Sequence, residues 1–209
     1  MQRTRVKICG ITRVEDAVYA AQLGADSIGL VFHQKSPRFI DLDSALKIKK
    51  ALPAFVTITA LMMDESQAWV DEIVQRLNPD CLQFHGDECP DDCSRYNIPY
   101  IKAIAMSGMQ NVTGYMACYP EAQGFLLDSH AAGEQGGSGK AFDWMSIPQD
   151  LRHQIILAGG ITPDNVYDAI TQISPWAVDL SSGVEQSKGI KDQAKMHKLM
   201  SEVTRANNN

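Results

Sequence analysis

Short apolar segments recur along the whole chain, and a helix-like stretch follows each of them. Eight such segments start about 19 to 31 residues apart, the length of one strand, one helix and two short loops. Alternation of this kind predicts an α/β fold with a parallel sheet. The segments are "VKICG" near 5–10, "SIGLVF" near 27–32, "AFVTITALMM" near 54–63, "CLQFHG" near 81–86, "YIKAIAM" near 100–106, "GFLLDS" near 124–129, "QIILAGG" near 154–160 and "AVDLSSG" near 177–183.

Two architectures accommodate eight such units: a closed (β/α)8 barrel and an open doubly wound sheet. No G-x-G-x-x-G follows the first segment, where an open dinucleotide-binding sheet would carry it. The count of eight and the glycine-rich ends of the last two segments favour the barrel. A chain of 209 residues suits one such domain, so we predict a single (β/α)8 TIM barrel over residues 1–209. The terminal "RANNN" is expected to fray.

Helix boundaries are predicted from capping signals. Thr12, with Glu15 three residues later, has the pattern of a helix N-cap, and Gly24 stands where a C-cap belongs. Thr162 followed by Pro163 repeats the start signal after the seventh segment. "DESQAWVDEIVQRLNPD" is amphipathic and predicts a helix that ends before its proline.

The charge balance restricts the classes of partner. A formal net charge of −6 argues against general binding to nucleic acid or to an anionic membrane. The start of the chain has no apolar signal-peptide core, and no run of about 18 apolar residues occurs. We therefore expect a cytoplasmic protein, and a local basic pocket would still allow an anionic substrate.

The five cysteines do not predict a disulfide framework, because their number is odd and their positions are scattered. Cys89 and Cys93 lie four apart, but no histidine or cysteine pair nearby completes a zinc set, so no metal is expected. Cys9, at the tip of the first strand, is then either a buried inert residue or a reactive one. Cys81, Cys89, Cys93 and Cys118 are interpreted as structural or surface thiols.

Polar residues gather at the carboxyl ends of four predicted strands. Strand alternation turns the large apolar residues toward the helices and these polar residues toward the barrel axis. Each alone is as well explained by a hydrogen-bonded residue of a barrel layer. Their convergence at the end where barrels carry their chemistry favours a functional site. The residues are Lys7, Cys9, Gln83, His85, Asp128, Asp179 and Ser181.

The ends of the seventh and eighth segments predict a phosphate site. "LAGGIT" contributes Gly159 and Gly160, and "LSSGVE" contributes Ser181, Ser182 and Gly183. Barrels commonly bind phosphate with the backbone N–H groups of these two loops. The alternative is that the glycines only make tight turns.

A third glycine-rich segment, "GEQGGSGKAFDW", resembles a Walker A loop but lacks its residues. Glu134 stands where its first glycine belongs, and Ala141 stands where serine or threonine is needed. We interpret the segment as a flap beside the phosphate site, to which Gly137 and Gly139 would contribute.

A basic loop, "HQKSPRFI", follows the second segment. The planar fork of Arg38 suits a carboxylate, so Arg38 is a candidate for binding a second anionic group of the substrate. A solvated surface arginine is the equal alternative.

Taken in order, these motifs resemble those of the phosphoribosylanthranilate isomerase family. The matching segments are "KICGIT", "VFHQKSPRFI", "LQFHGDE", "LLDS", "GGSGKAFDW", "LAGGITPDNV" and "VDLSSGVE", one at almost every strand end. Two departures are mild: Phe84 where leucine is usual, and Ala141 where threonine is common.

The resemblance implies a (β/α)8 barrel of tryptophan biosynthesis that needs no cofactor. Its reaction is the Amadori rearrangement of N-(5-phosphoribosyl)anthranilate to 1-(2-carboxyphenylamino)-1-deoxyribulose 5-phosphate. By position in the motifs, Cys9 would be the general base and Asp128 the general acid. Arg38 would bind the anthranilate carboxylate, and the loops after strands 7 and 8 the phosphate. The further candidates for binding the substrate are Lys7, Gln83, His85 and Asp179. The family includes monomers and dimers, so the resemblance implies an enzyme for a small phosphoribosyl substrate that is a monomer or a homodimer.

Three questions stay open at this point. Lys7, on the same strand face as Cys9, is expected to favour its thiolate. His85 either orients a partner, contacts substrate or is a hydrogen-bonded residue of the barrel, and Asp179 is a candidate for positioning substrate. Two rival functions are the related isomerisation of histidine biosynthesis, which uses an aspartate in place of Cys9, and a non-catalytic phosphate-ligand sensor or scaffold.

Overall fold

Eight parallel strands form a closed barrel in the computed structural model, which describes residues 3–129 and 143–209. The order around the barrel is β1 to β8, and β1 pairs with both β2 and β8, which closes the ring. The prediction of a single (β/α)8 barrel is therefore confirmed, and the open sheet is excluded. The strands are β1 Arg5–Cys9, β2 Ser27–Val31, β3 Thr57–Met62, β4 Cys81–Phe84, β5 Tyr100–Ala105, β6 Gly124–Asp128, β7 Ile155–Leu157 and β8 Ala177–Leu180.

The helices outside the barrel vary widely in length. After β6, the described part of the connection contains only two short 3-10 turns, at Trp144–Ser146 and Arg152–Gln154. None of the helices in the described ranges is long and apolar enough to cross a membrane. The helices are α1 Val14–Gln22, α2 Leu42–Ala51, α3 Gln67–Leu77, α4 Pro90–Ser94, α5 Val112–Ala117, α6 Val166–Ile173 and α7 Gln193–Asn207.

The connection after β8 carries additional structure. A 3-10 turn at Ser182–Val184 leads into a small antiparallel hairpin of β9, Glu185–Ser187, and β10, Ile190–Lys191. Helix α7 then continues to Asn207, whose side-chain oxygen accepts a hydrogen bond from the Thr4 backbone N–H at 2.9 Å. Of the terminal "RANNN", residues 205–207 are thus helical and tied to the residue before β1, while residues 208 and 209 lie beyond the helix.

Both predicted threonine caps are wrong. Helix α1 begins after Arg13, and the Thr12 hydroxyl donates to the Gly189 carbonyl oxygen instead of accepting from the helix. Helix α6 begins after Asn165, because residues from Thr162 onward first form a turn in which the Thr162 backbone N–H donates to the Asn165 side chain. The ends of α3 agree with the sequence: Ser66 caps its start, and it ends at Asn78 in the left-handed conformation.

Strand alternation separates two apolar regions. Val6 and Ile8, both about 1% exposed, belong to the large core between the barrel and the helices. A smaller cluster fills part of the barrel interior, where it excludes water from the base of the site above it. Its buried members are Ala103, Leu126, Ile156, Ala158 and Ala177.

Candidate active site

A cavity of about 820 Å³, counting its open mouth, lies where the carboxyl ends of the strands meet. Ten of the residues singled out from the sequence line it, and strand alternation had placed six of them inward. Lys7 and Gly183 do not line it, and Gly137 and Gly139 lie outside the described residues. The ten are Cys9, Arg38, Gln83, His85, Asp128, Gly159, Gly160, Asp179, Ser181 and Ser182.

Cys9 ends β1 at the floor of the cavity and is 5% exposed. Burial raises the pKa of its thiol, because a thiolate is poorly solvated there. The Lys7 and Lys191 ammonium groups lower that pKa, but burial prevails and the pKa is raised overall. Lys7 therefore acts in the expected direction without making Cys9 a thiolate in the resting protein.

Lys7 is paired with Asp179 rather than with the cavity. Its Nζ lies 2.9 Å from Asp179 Oδ1, and both side chains are nearly inaccessible to solvent. Burial acts to lower the pKa of Lys7, but Asp179 and Cys9 outweigh it, so that pKa is raised and Lys7 stays charged. The ammonium neutralises a buried carboxylate, and a contact between Lys7 and substrate stays a prediction.

Asp128, His85 and Gln83 form a connected group across β4 and β6. Asp128 is 8% exposed, and its Oδ2 lies 3.5 Å from His85 Nε2. Gln83 Nε2 donates to His85 Nδ1 at 3.1 Å, which leaves the other imidazole nitrogen to carry the proton facing Asp128. This position is compatible with His85 orienting Asp128, which stays one of the alternatives predicted from the sequence. Gln83 Oε1 is buried and has no hydrogen-bond partner in the described part of the chain.

The loops after β7 and β8 are packed backbone against backbone. Gly159 and Gly160 have φ of 75° and 69°, a conformation that favours glycine. Their backbone N–H groups make no hydrogen bond to any described residue. A Cβ on Gly183 would lie 2.1 Å from the Ile161 backbone oxygen, so only glycine permits this approach. Beside Ser181 and Ser182 the two glycines of the β7 loop thus present N–H donors that have no partner among the described residues.

Arg38 is not a surface arginine. It is 7% exposed and lines the cavity, and its guanidinium donates from Nε and Nη2 to the two carboxylate oxygens of Glu185 at 2.7 and 2.9 Å. Sequence reasoning missed Glu185 and its second partner, Lys191. The "LSSGVE" motif contained the glutamate, but only the contact across 147 residues reveals its role.

A second pair missed from the sequence stands at the cavity mouth. His33 Nδ1, in the loop after β2, lies 2.7 Å from Glu65 Oε1, in the loop after β3. His33 lines the cavity, while no spacing signal in the sequence relates two loop residues 32 positions apart. The pair joins two neighbouring loops at the rim.

The described ranges contain no group of three His, Cys, Asp or Glu side chains arranged to hold a metal ion. Cys89 is exposed and Cys93 is buried, so the two cysteines four apart do not share a site.

Fold and site together define a single-domain (β/α)8-barrel enzyme with its cavity at the carboxyl ends of the strands. The family model for N-(5′-phosphoribosyl)anthranilate isomerase matches residues 6–202. The chain belongs to this family, as the motifs indicated.

Relatives and solved structures agree with that assignment. The N-(5′-phosphoribosyl)anthranilate isomerase of Pseudomonas aeruginosa is 50% identical over 203 residues, which are 97% of this chain and 96% of the relative. The crystal structure of the isomerase from Thermotoga maritima superposes with a TM-score of 0.86 at 35% identity, covering 97% of this chain and 99% of that one.

Two further solved structures bear on ligand and assembly. An isomerase in complex with reduced 1-(o-carboxyphenylamino)-1-deoxyribulose 5-phosphate has a TM-score of 0.82 at 33% identity, covering 97% of this chain and 99% of that one. Monomers generated from the dimeric Thermotoga maritima isomerase have a TM-score of 0.82 at 32% identity, with the same coverage. The family therefore includes a dimer, and the assembly of this chain stays a prediction.

Proposed function

We propose that the protein catalyses the Amadori rearrangement of N-(5-phosphoribosyl)anthranilate in tryptophan biosynthesis, without a cofactor, with Cys9 as general base and Asp128 as general acid. The observation that carries the proposal is that both residues line one cavity, whose wall contains a buried arginine and loop N–H groups without a partner in the described ranges. The substrate bears a phosphate at one end and a carboxylate at the other. The loop N–H groups supply hydrogen-bond donors for the phosphate, and Arg38 supplies them for the carboxylate.

The first step opens the ribose ring. Asp128, in its protonated form, donates a proton to the ring oxygen, the C1′–O bond breaks, and the nitrogen lone pair forms a Schiff base. His85 lies 3.5 Å from Asp128 Oδ2 and holds that carboxyl toward the cavity. Proton transfer of this kind needs a positioned acid in a site that excludes water, which the 8% exposure of Asp128 supplies.

The second step removes the proton from C2′. The Cys9 thiolate takes this proton, the electron pair moves toward the iminium nitrogen, and the resulting enolamine tautomerises to the ketone. No net proton is consumed, so no further reactant is required. Because burial raises the pKa of Cys9, the thiolate is the minor form at neutral pH, and kcat/KM is expected to increase as the pH rises.

The two anionic ends of the substrate are held by different walls. Gly159, Gly160 and the serines of the β8 loop face the phosphate, where backbone N–H groups bind an anion at little reorganisation cost. Arg38 faces the anthranilate carboxylate on the wall formed by the loop after β2. Gln83 Oε1, a buried acceptor, suits a substrate N–H or O–H.

Turnover of the substrate, generated in situ and followed by the loss of its anthranilate fluorescence, tests the proposal. Cys9→Ser and Asp128→Asn should each lower kcat by about 10²-fold or more, because each removes one partner of the acid–base pair. Cys118→Ser, at an exposed thiol, is the matched control and should retain full rate.

Folded wild-type protein without turnover would refute the proposed reaction, and the phosphorylated imidazole intermediate of histidine biosynthesis is then the substrate to test. Equal rates for the wild type and a Cys9→Ser, Asp128→Asn double variant would remove the catalytic assignment from these two residues. Action in the cytoplasm, as a monomer or a homodimer, stays part of the proposal.

A further inference from the structure

Glu185 has no part in the reaction described above, although it is buried beside the active site. It is 7% exposed, and it contacts the site through Arg38 rather than by lining the cavity. The two form a bidentate pair, with Nε–Oε1 at 2.7 Å and Nη2–Oε2 at 2.9 Å. A fork of this kind fixes the plane of the guanidinium as well as its position.

The Glu185 carboxylate is held by other residues of the hairpin to which it belongs. Lys191 Nζ donates to Glu185 Oε1 at 3.0 Å and to the Ser181 backbone oxygen at 3.1 Å. The Gly189 backbone N–H donates to the same Oε1 at 3.3 Å. Through Lys191, the carboxylate that orients Arg38 is tied to the strand end that carries Ser181.

The aliphatic part of Arg38 is fixed from the opposite side. Gly10 has a φ of 71°, and a Cβ at this position would lie 2.5 Å from Arg38 Cδ and 2.9 Å from Ser181 Oγ. The missing side chain of Gly10 is therefore the space that the arginine stem occupies. Arg38 is confined between Gly10 and Glu185, so its head group has little freedom to turn.

The Glu185 carboxylate lies at the centre of this group. Arg38 is its cationic partner, and Lys191, whose pKa is lowered by burial, donates to the same carboxylate. Burial raises the pKa of Glu185, but Arg38 and Lys191 lower it further, so the carboxyl is ionised at neutral pH.

We propose that Glu185 is a positioning residue that holds the Arg38 guanidinium in the orientation needed to bind the substrate carboxylate. Lys191 supports this arrangement, because it holds Glu185 against the β8 loop. The inference rests on the proposed function, in which Arg38 binds that carboxylate.

A double-mutant cycle tests the inference on the full-length protein. Arg38→Ala and Glu185→Gln are each measured alone and together, with KM and kcat for the proposed substrate as readouts. Arg38→Ala should raise KM about tenfold or more, since it removes a charge-assisted contact. Glu185→Gln should raise KM about tenfold when Arg38 is present and less than about twofold when Arg38 is absent, with kcat changed less than about threefold.

A matched control is available in the same barrel. Lys102 and Glu88 form an ion pair at 3.0 Å, the same separation as Lys191–Glu185, and both pairs are buried. Neither Lys102 nor Glu88 contacts Arg38 in the described hydrogen bonds and ion pairs. Glu88→Gln should change KM by the same factor with and without Arg38, because it has no contact through which to couple. Should Glu185→Gln fail to fold, Glu185→Gln with Lys191→Met restores the charge balance and takes its place in the cycle.

Each outcome decides between the two proposals. If Arg38→Ala raises KM but Glu185→Gln has the same effect in both backgrounds, the positioning role is overturned and the proposed function stands. If Arg38→Ala leaves KM unchanged, the carboxylate contact in the proposed function is wrong and the positioning role falls with it.

Discussion

Replacing Gly183 by alanine should separate the two loops assigned to the phosphate. The added Cβ would lie 2.1 Å from the Ile161 backbone oxygen and 3.2 Å from Thr162 Cα, and Cβ contacts below 3.0 Å essentially never occur. The loops must therefore move apart by at least 0.9 Å, the difference between 3.0 and 2.1 Å. The atoms that clash are backbone atoms, so no side-chain rotation relieves the contact.

The loss of stability caused by this substitution can be bounded. Overpacking of this kind typically destabilises a protein by about 1–3 kcal/mol. For a chain of this length about 1 kcal/mol corresponds to roughly 2–4 °C in Tm, so Gly183→Ala should lower Tm by about 2–12 °C. A misplacement near 1 Å in a binding site can cost about 10²-fold in rate.

Thermal unfolding, KM and the inhibition constant of inorganic phosphate are the measurements. Gly124→Ala is the matched control, because a Cβ there would lie 3.7 Å from Ile156 Cδ1, an ordinary contact. That variant should keep KM and gain slightly in stability, since alanine restricts the unfolded chain. A Gly183→Ala protein with wild-type Tm, KM and phosphate inhibition would refute the claim that the two loops need this close approach.

Two further predictions concern Cys9. Lys7→Met should raise the pKa of the thiol further, because it removes a cation that lowers this pKa and leaves Asp179, which raises it, without its partner. Alkylation rate against pH gives the midpoint, with the exposed Lys198→Met as control, and an unshifted midpoint would contradict the stated electrostatics. Gly29→Ala would place a Cβ 2.8 Å from Cys9 Sγ and 3.0 Å from its Cα, so kcat should fall while KM changes little. Unchanged kcat in steady-state assays would show that the Sγ position is not critical.

Local pattern explains why the strands and their inward faces could be predicted. Alternation with a period of two follows from backbone geometry, so Cys9, Gln83 and Asp128 could be placed inside the barrel without any knowledge of its helices. The parallel arrangement then brings every carboxyl strand end to one face. For this reason the location of the site, and most of its lining, followed from the sequence.

The contacts between side chains could not be predicted in the same way. Thr12 has the local pattern of a cap, yet its hydroxyl bonds to Gly189, 177 residues away. The raised pKa of Cys9 depends on the depth of burial, which no spacing of Lys7 and Cys9 reveals. The pairing of Arg38 with Glu185 likewise depends on where two loops meet after the barrel has closed.

The Lys7–Asp179 pair has a consequence for how the protein is assembled. These residues are direct register partners across the seam between β1 and β8, 172 positions apart in the chain. Until the last strand docks, the ammonium of Lys7 has no carboxylate to neutralise it and must stay hydrated at an open sheet edge. Docking of β8 thus closes the sheet and neutralises the charge together. A truncated chain that ends before β8 lacks Asp179, Ser181 and Ser182 from the cavity wall.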